Sequence, residues 1–256
     1  MYTQRHLLIS AALLATAVSA FAQASIDHNR ALTGSINPGD APGYPITLSQ
    51  PGSYKLTGNL VVPAGTSGIE ITAPHVTLDL NGFAILGPGS CAQSLPALGV
   101  TCNQPFNVAV AGIRATAADL AITVRNGAVQ GVAGYGFFAS GNDLVERVHI
   151  SQNNLEGIRS TQSADQHMRI VDAYLQLNGG SGLWVGGGVV TGSRLVSNGA
   201  NGISGTPRLT VLDTDVRRNN GIGLSGALVG RTQSSGNLIE RSGVTSLGGN
   251  FDGAVY

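Results

Sequence analysis

Around Val76, Leu78 and Leu80 the chain alternates apolar with polar residues, the period of a strand with one buried face. The alternation returns along the sequence in short runs, and no helical period separates them. Four of these runs lead into one pattern: "ISQNNLEGIRS", "LQLNGGSGLWV", "LVSNGANGIS" and "VRRNNGIGLSG" each carry an Asn (Asn153, Asn178, Asn198, Asn219) four residues before a Gly and an aliphatic residue. The Asn residues lie 25, 20 and 21 positions apart. Gly68, Gly112, Gly136, Gly157, Gly182, Gly202 and Gly223 are each followed by Ile, Leu or Phe and recur at intervals of 44, 24, 21, 25, 20 and 21.

A period of this length built on short β-branched strands excludes helical solenoids, and the dense leucine ladder of a leucine-rich repeat is missing. The pattern predicts an all-β, single-stranded right-handed parallel β-helix, a solenoid whose coils stack about 4.8 Å apart. At a corner that recurs in every coil, Asn amides can bond to one another up the stack. The expected ladder is Asn153, Asn178, Asn198 and Asn219. Gly is expected to supply the positive φ of the corner, and the next residue to point into the core.

Residues 1–24 read as a bacterial secretory signal: Arg5, an apolar run from Leu7 to Val18, and a small-residue exit at Ala20 and Ala22. The apolar run is shorter than the ~20 residues of a membrane span. The mature protein is therefore expected to be exported, to the periplasm or the outside, with no stable membrane span. Residues 25–45, with Pro38, Pro42 and Pro45, read as an irregular lead-in, and residues 46–256 as one β-helix domain. Residues 87–111 break the pattern and read as a loop inserted into one coil. They hold Cys91 and Cys102, the only two cysteines. In an oxidising compartment these can pair, whereas two thiols without a nearby His do not complete a zinc site.

Composition narrows the partners. Charged residues make up 11% of the chain and the formal net charge is zero. No basic block is present to hold nucleic acid phosphates.

"VTLDLNGFAI", then "ITVRNGAVQG", then coils of the form NxxxGI resemble the secreted right-handed β-helix proteins of bacteria, the pectin-lyase-like group that includes pectate lyases, polygalacturonases and alginate epimerases. The resemblance covers about residues 46–225. It implies the fold, while one such scaffold carries several chemistries. The Asp-Pro-His-Asp and Asn-Thr-Asp motifs of the epimerases and polygalacturonases are absent.

Candidate function is sought in residues that the scaffold does not need. Four positions before each ladder Asn, the outward residue reads His149, Tyr174, Arg194 and Asp215. Two residues further back stand Arg147, Asp172, Gly192 and Asp213, and two further forward Ser151, Gln176, Val196 and Arg217. Such a face suits a polysaccharide: Arg neutralises a uronate, Tyr stacks on a sugar ring, and carboxylates act as acid and base or hold Ca²⁺. The substrate-binding candidates are Arg147, His149, Tyr174, Arg194 and Arg217. The catalytic candidates are Asp172, Asp213, Asp215, Arg194, His149 and Tyr174. Asp213 and Asp215, read as two residues of one strand, are the candidate Ca²⁺ ligands, although no cofactor is required. Asp172 and Asp213, two coils apart, would lie about 9.6 Å from each other. The competing reading is a solvated face with cross-coil ion pairs, Arg147 to Asp172 and Arg194 to Asp213 or Asp215. Asp165 and His167 are expected on an exposed loop, and "GIGLSG" from Gly221 lacks the strand-helix context of a dinucleotide site. Three functions follow: polysaccharide binding, a lyase, hydrolase or epimerase acting at the same face, or a structural surface rod.

Overall fold

A computed structural model describes residues 23–160 and 167–253. The signal sequence therefore lies almost wholly outside the described residues, as does Asp165. The chain forms a β-solenoid of about ten parallel coils with almost no helix. Each full coil has three faces. In one coil the first face is Met168–Val171, the second Tyr174–Gln176 and the third Leu183–Trp184. The first two faces merge into a 17-stranded sheet, and the third is a separate sheet of nine strands.

Register follows from the apolar row of each face. On the second face Ile150 pairs with Leu175, Leu175 with Leu195 and Leu195 with Val216, all at most 1% exposed. On the third, Ile158, Leu183, Ile203 and Leu224 stack in the same way, each fully buried. A one-residue slip would turn either row out to water, so burial fixes the pairing.

The Asn ladder is present and one rung longer than expected. Asn153 Nδ2 donates to Asn178 Oδ1 at 3.0 Å, Asn178 to Asn198 at 3.0 Å, Asn198 to Asn219 at 2.9 Å and Asn219 to Asn237 at 2.8 Å. Each of the four acceptor oxygens also takes the backbone N–H of the Asn in the coil before it. The second Nδ2 hydrogen goes back to a carbonyl one coil earlier, as from Asn198 to Leu175 O at 3.1 Å. At the far end Asn237 Nδ2 donates to Glu240 Oε2 at 2.7 Å. All these amides are at most 2% exposed, so every donor and acceptor needs its partner.

The repeat glycines correct the sequence reading. Gly157, Gly182, Gly202 and Gly223 do not have positive φ; the left-handed residues of this corner are those just before the ladder Asn: Gln152, Leu177, Ser197 and Arg218, at φ 53° to 57°. Glycine is required by proximity instead. A Cβ on Gly182 would lie 2.9 Å from Asn198 Nδ2, and one on Gly202 would lie 2.8 Å from Asn219 Nδ2.

Two departures from the repeat shape the ends and edges. Residues 25–45 are more ordered than an irregular lead-in. Ala24–Ile26 pairs in parallel with residues 54–56, and a short helix, His28–Thr33, follows. Asp27 caps that helix by accepting from Arg30 N, and Gly34 ends it at φ 64°. Ala31, Ile26 and Ile36 are buried, so this segment covers the core at its first coil. Asp27 and Gly34 are ordinary helix start and stop signals, obscured by the prolines that follow.

The insertion between second and third faces contains an antiparallel hairpin, Cys91–Gln93 with Val100–Cys102. Cys91 and Cys102 face each other with Cα atoms 4.0 Å apart and are disulfide-bonded. The hairpin lies along the corner over five successive coils. Gln104 Nε2 donates to Gly131 O at 3.0 Å, Asn154 Nδ2 donates to Gln104 O, and Gln93 Nε2 reaches Arg218 O at 2.8 Å. Between these ties it passes so close to Gly179 and Gly199 that added Cβ atoms would sit 3.1 Å from Cys102 Sγ and 3.2 Å from Val100 Cβ.

Candidate functional site

The outward row of the second face is in register across four coils: His149 beside Tyr174, Tyr174 beside Arg194, Arg194 beside Asp215. Parallel pairing without a stagger places these side chains one above another at the coil spacing, so each touches the next. The imidazole of His149 stacks on Tyr174 with centroids 4.8 Å apart and planes inclined by 14°. Arg194 Cζ lies 5.8 Å from the Tyr174 centroid on the next coil. Arg194 Nε is 3.5 Å from Asp215 Oδ2, and Arg217 Nη2, on the same strand as Asp215, reaches that oxygen at 2.7 Å. The predicted Arg194 to Asp215 contact is thus formed, and the row is one continuous aromatic and ionic ladder.

The row behind it differs from expectation. Arg147, Asp172, Gly192 and Asp213 occupy the corner between first and second faces, with φ of 51°, 51°, 61° and 49°. Asp213 and Asp215 therefore do not share a strand. Asn, Asp and Gly recur there because they tolerate the left-handed region. Arg147 bonds to Glu146 Oε1 at 2.7 Å and Asn126 Oδ1 at 2.9 Å, and not to Asp172 as the sequence suggested. Asp213 is gripped by both ends of the Arg231 fork, each bond 2.7 Å. Those bonds hold its carboxyl below the usual carboxylate range. Asp172 lies over Gly192, where a Cβ would be 2.3 Å from Asp172 Oδ1.

This arrangement separates committed groups from available ones. Asp213 and Asp215 both close on arginines, and among the described residues no group of three or more His, Cys, Asp or Glu can hold a metal ion. The Arg231 bonds keep Asp213 ionised, which suits orientation better than proton donation. Arg194 keeps 58% of its side chain exposed, and its nearest approach to Asp215 is from Nε, 3.5 Å from Oδ2. Burial of His149 against its neighbours lowers its pKa from 6.5, so the imidazole is neutral at pH 7. Its Nε2 has no hydrogen-bond partner among the described residues. His167 is exposed and its backbone N–H bonds to Asn142 Oδ1 at 3.0 Å, away from the row.

A second outward row, which sequence reasoning missed, runs up the third face. Arg114, Phe138, Arg159, Trp184, Ser204 and Ser225 are register partners in successive coils. Arg114 Cζ stands 5.0 Å from the Phe138 centroid and Arg159 Cζ 3.8 Å from that of Trp184. The signal was available: each of these residues directly follows a repeat Gly and its inward aliphatic or Phe.

No protein-family model matches the chain, and no curated protein matches it significantly. Among solved structures it is similar to the Dettilon tailspike protein gp208, at 14% identity and a TM-score of 0.40 over 78% of this chain and 50% of that one. It is also similar to the A-module of the Azotobacter vinelandii mannuronan C-5 epimerase AlgE6, at 13% identity and a TM-score of 0.46 over 78% of this chain and 68% of that one. The chain spans about half the length of the tailspike chain.

Proposed function

We propose that this chain is an exported β-helix protein of the pectin-lyase-like kind that binds an acidic polysaccharide along its second face. The observation that carries this reading is the in-register row His149, Tyr174, Arg194 and Asp215, which sets an aromatic surface beside a cation held in place by its own carboxylate. A uronate carboxylate can accept from the terminal nitrogens of Arg194 in a fork geometry that lysine could not supply. Arg217 holds the Asp215 carboxylate, which in turn draws the Arg194 guanidinium toward the row and lowers the ordering cost of binding. A long polymer suits a flat row better than a closed pocket, because each coil offers the same spacing to the next residue of a chain. Export is supported by the disulfide between Cys91 and Cys102, a bond kept in oxidising compartments. No helix of the described residues is long and apolar enough to cross a membrane. The reading needs no metal. Isothermal titration with acidic and neutral glycans tests it: Arg194→Ala should weaken acidic-glycan affinity at least tenfold while the melting temperature holds.

One observation favours a second, enzymatic reading at the same face. His149 is held neutral by burial beside the Tyr174 ring, and its Nε2 is buried without a hydrogen-bond partner among the described residues, so it becomes a proton acceptor for substrate where binding opens the stack. It could take the proton next to a uronate carboxylate while Arg194 neutralises that group, as a lyase or epimerase requires. Release of an unsaturated product, or exchange of that proton with deuterated solvent, would distinguish catalysis from binding alone.

A further inference from the structure

Trp184 is the single tryptophan of the chain. It stands outward on the third face between Leu183 and Val185, both fully buried. One face of its indole is occupied by the Arg159 guanidinium, 3.8 Å from the ring centroid. That guanidinium is itself held by Glu156 at 3.4 Å and lies 5.7 Å from the Tyr135 ring. The opposite indole face looks toward the following coil. There the register partner is Ser204, and beyond it Ser225. A serine is too short to cover an indole, so the row drops from an aromatic wall to a floor of hydroxyls. The floor is ordered: Asn201 Nδ2 donates to Ser204 Oγ at 2.9 Å, while Asn201 Oδ1 takes Ile222 N at 2.8 Å.

We propose that this step is a second saccharide subsite, taking one neutral pyranose ring with its C–H face against Trp184 and its rim hydroxyls over Ser204 and Ser225. The chemistry selects the occupant. A flat ring with one apolar face and a polar edge matches a wall that offers apolar area and a floor that offers neutral donors and acceptors. An aliphatic peptide side chain would leave the hydroxyls unmatched, at a cost for each polar group buried without a bond. An anion gains little, because the nearby cation, Arg159, is already committed to Glu156. Coil stacking accounts for the indole face that Arg159 covers but gives no reason for a half-buried indole followed in the row by two serines. The subsite lies on a different face from the Arg194 row and does not depend on it.

Because Trp184 is the sole tryptophan, its emission reports the site directly. Titration with neutral gluco-, manno- and galacto-configured oligosaccharides should produce a saturable change in tryptophan fluorescence with at least one of them, together with protection from acrylamide quenching. Ser204→Leu, which fills the step and keeps the indole, should weaken that response at least tenfold; Ser225→Leu provides the same test should the first variant fail to fold. Arg194→Ala should leave it unchanged, so failure of the second-face reading would be seen separately. Absence of a saturable response with every oligosaccharide, or an unchanged affinity in the folded Ser204→Leu or Ser225→Leu protein, overturns the proposal.

Discussion

A Cβ atom on Gly182 would stand 2.9 Å from Nδ2 of Asn198 in the next coil. The two repeated residues are therefore one device: Asn carries the hydrogen bonds of the corner, and Gly in the preceding coil leaves room for it. Gly182→Ala should destabilise the solenoid by about 1–3 kcal/mol, because Gly202 O and Leu195 Cδ2 also lie 2.9 Å from the new methyl and cannot all yield. Gly65→Ala, with nothing within 4 Å of its Cβ, meets no clash and pays only for its φ of 71°. Denaturant midpoints of the two variants check the difference; equal losses would refute the proximity account.

Asn198→Leu attacks the other half of the device. It leaves the backbone N–H and Nδ2 of Asn178 without their acceptor, in a site that admits no water. Each buried donor left unsatisfied costs about 1–3 kcal/mol. The variant should lose cooperative unfolding or melt well below the parent, and glycan binding should fall only in step with the folded fraction.

Coil architecture was legible in the sequence because a solenoid repeats its constraints: the ladder Asn and the aliphatic after each Gly must recur or the stack fails. The role of the glycines was not legible, since a residue needed for positive φ and one needed for closeness look the same in a sequence. Likewise Arg147, Asp172 and Asp213 read as strand residues until the backbone placed them at a corner. The Arg194 to Asp215 contact was legible because parallel register turns sequence period into spatial adjacency. The Arg159 to Trp184 stack obeys the same rule, one residue past each repeat Gly and its inward neighbour.

Reduction of the Cys91–Cys102 disulfide, or its replacement by Ser at both positions, should cost about 2–3 kcal/mol, the loop-closure value for a sequence separation of 11. The hairpin keeps its ties to Gly131 and Arg218, so the coils should remain folded. Melting curves with and without reductant measure the difference. Two free thiols in the unreduced protein would contradict the pairing.

Burial lowers the His149 pKa from 6.5, which ties stability to pH. The unfolded chain takes up this proton more readily than the folded one. Stability should thus be complete above pH 6.5, decline as pH falls below it, and level off once the folded-state pKa is passed. His149→Gln should flatten that part of the profile. An imidazole resonance titrating at or above 6.5 would exclude the burial account.

The most direct test of function measures affinity for acidic and neutral glycans in the parent, Arg194→Ala and Asp215→Asn proteins, with and without Ca²⁺. Arg194→Ala should cut acidic-glycan affinity at least tenfold, about 1.4 kcal/mol, with neutral-glycan binding and melting temperature unchanged. Asp215→Asn removes the carboxylate that Arg194 and Arg217 share and, by leaving Arg194 less ordered, should lower acidic-glycan affinity, though by less than Arg194→Ala does. Ca²⁺ should alter none of these values, because both candidate carboxylates are held by arginine. An Arg194→Ala protein that binds every acidic glycan as tightly as its parent would contradict the second-face account.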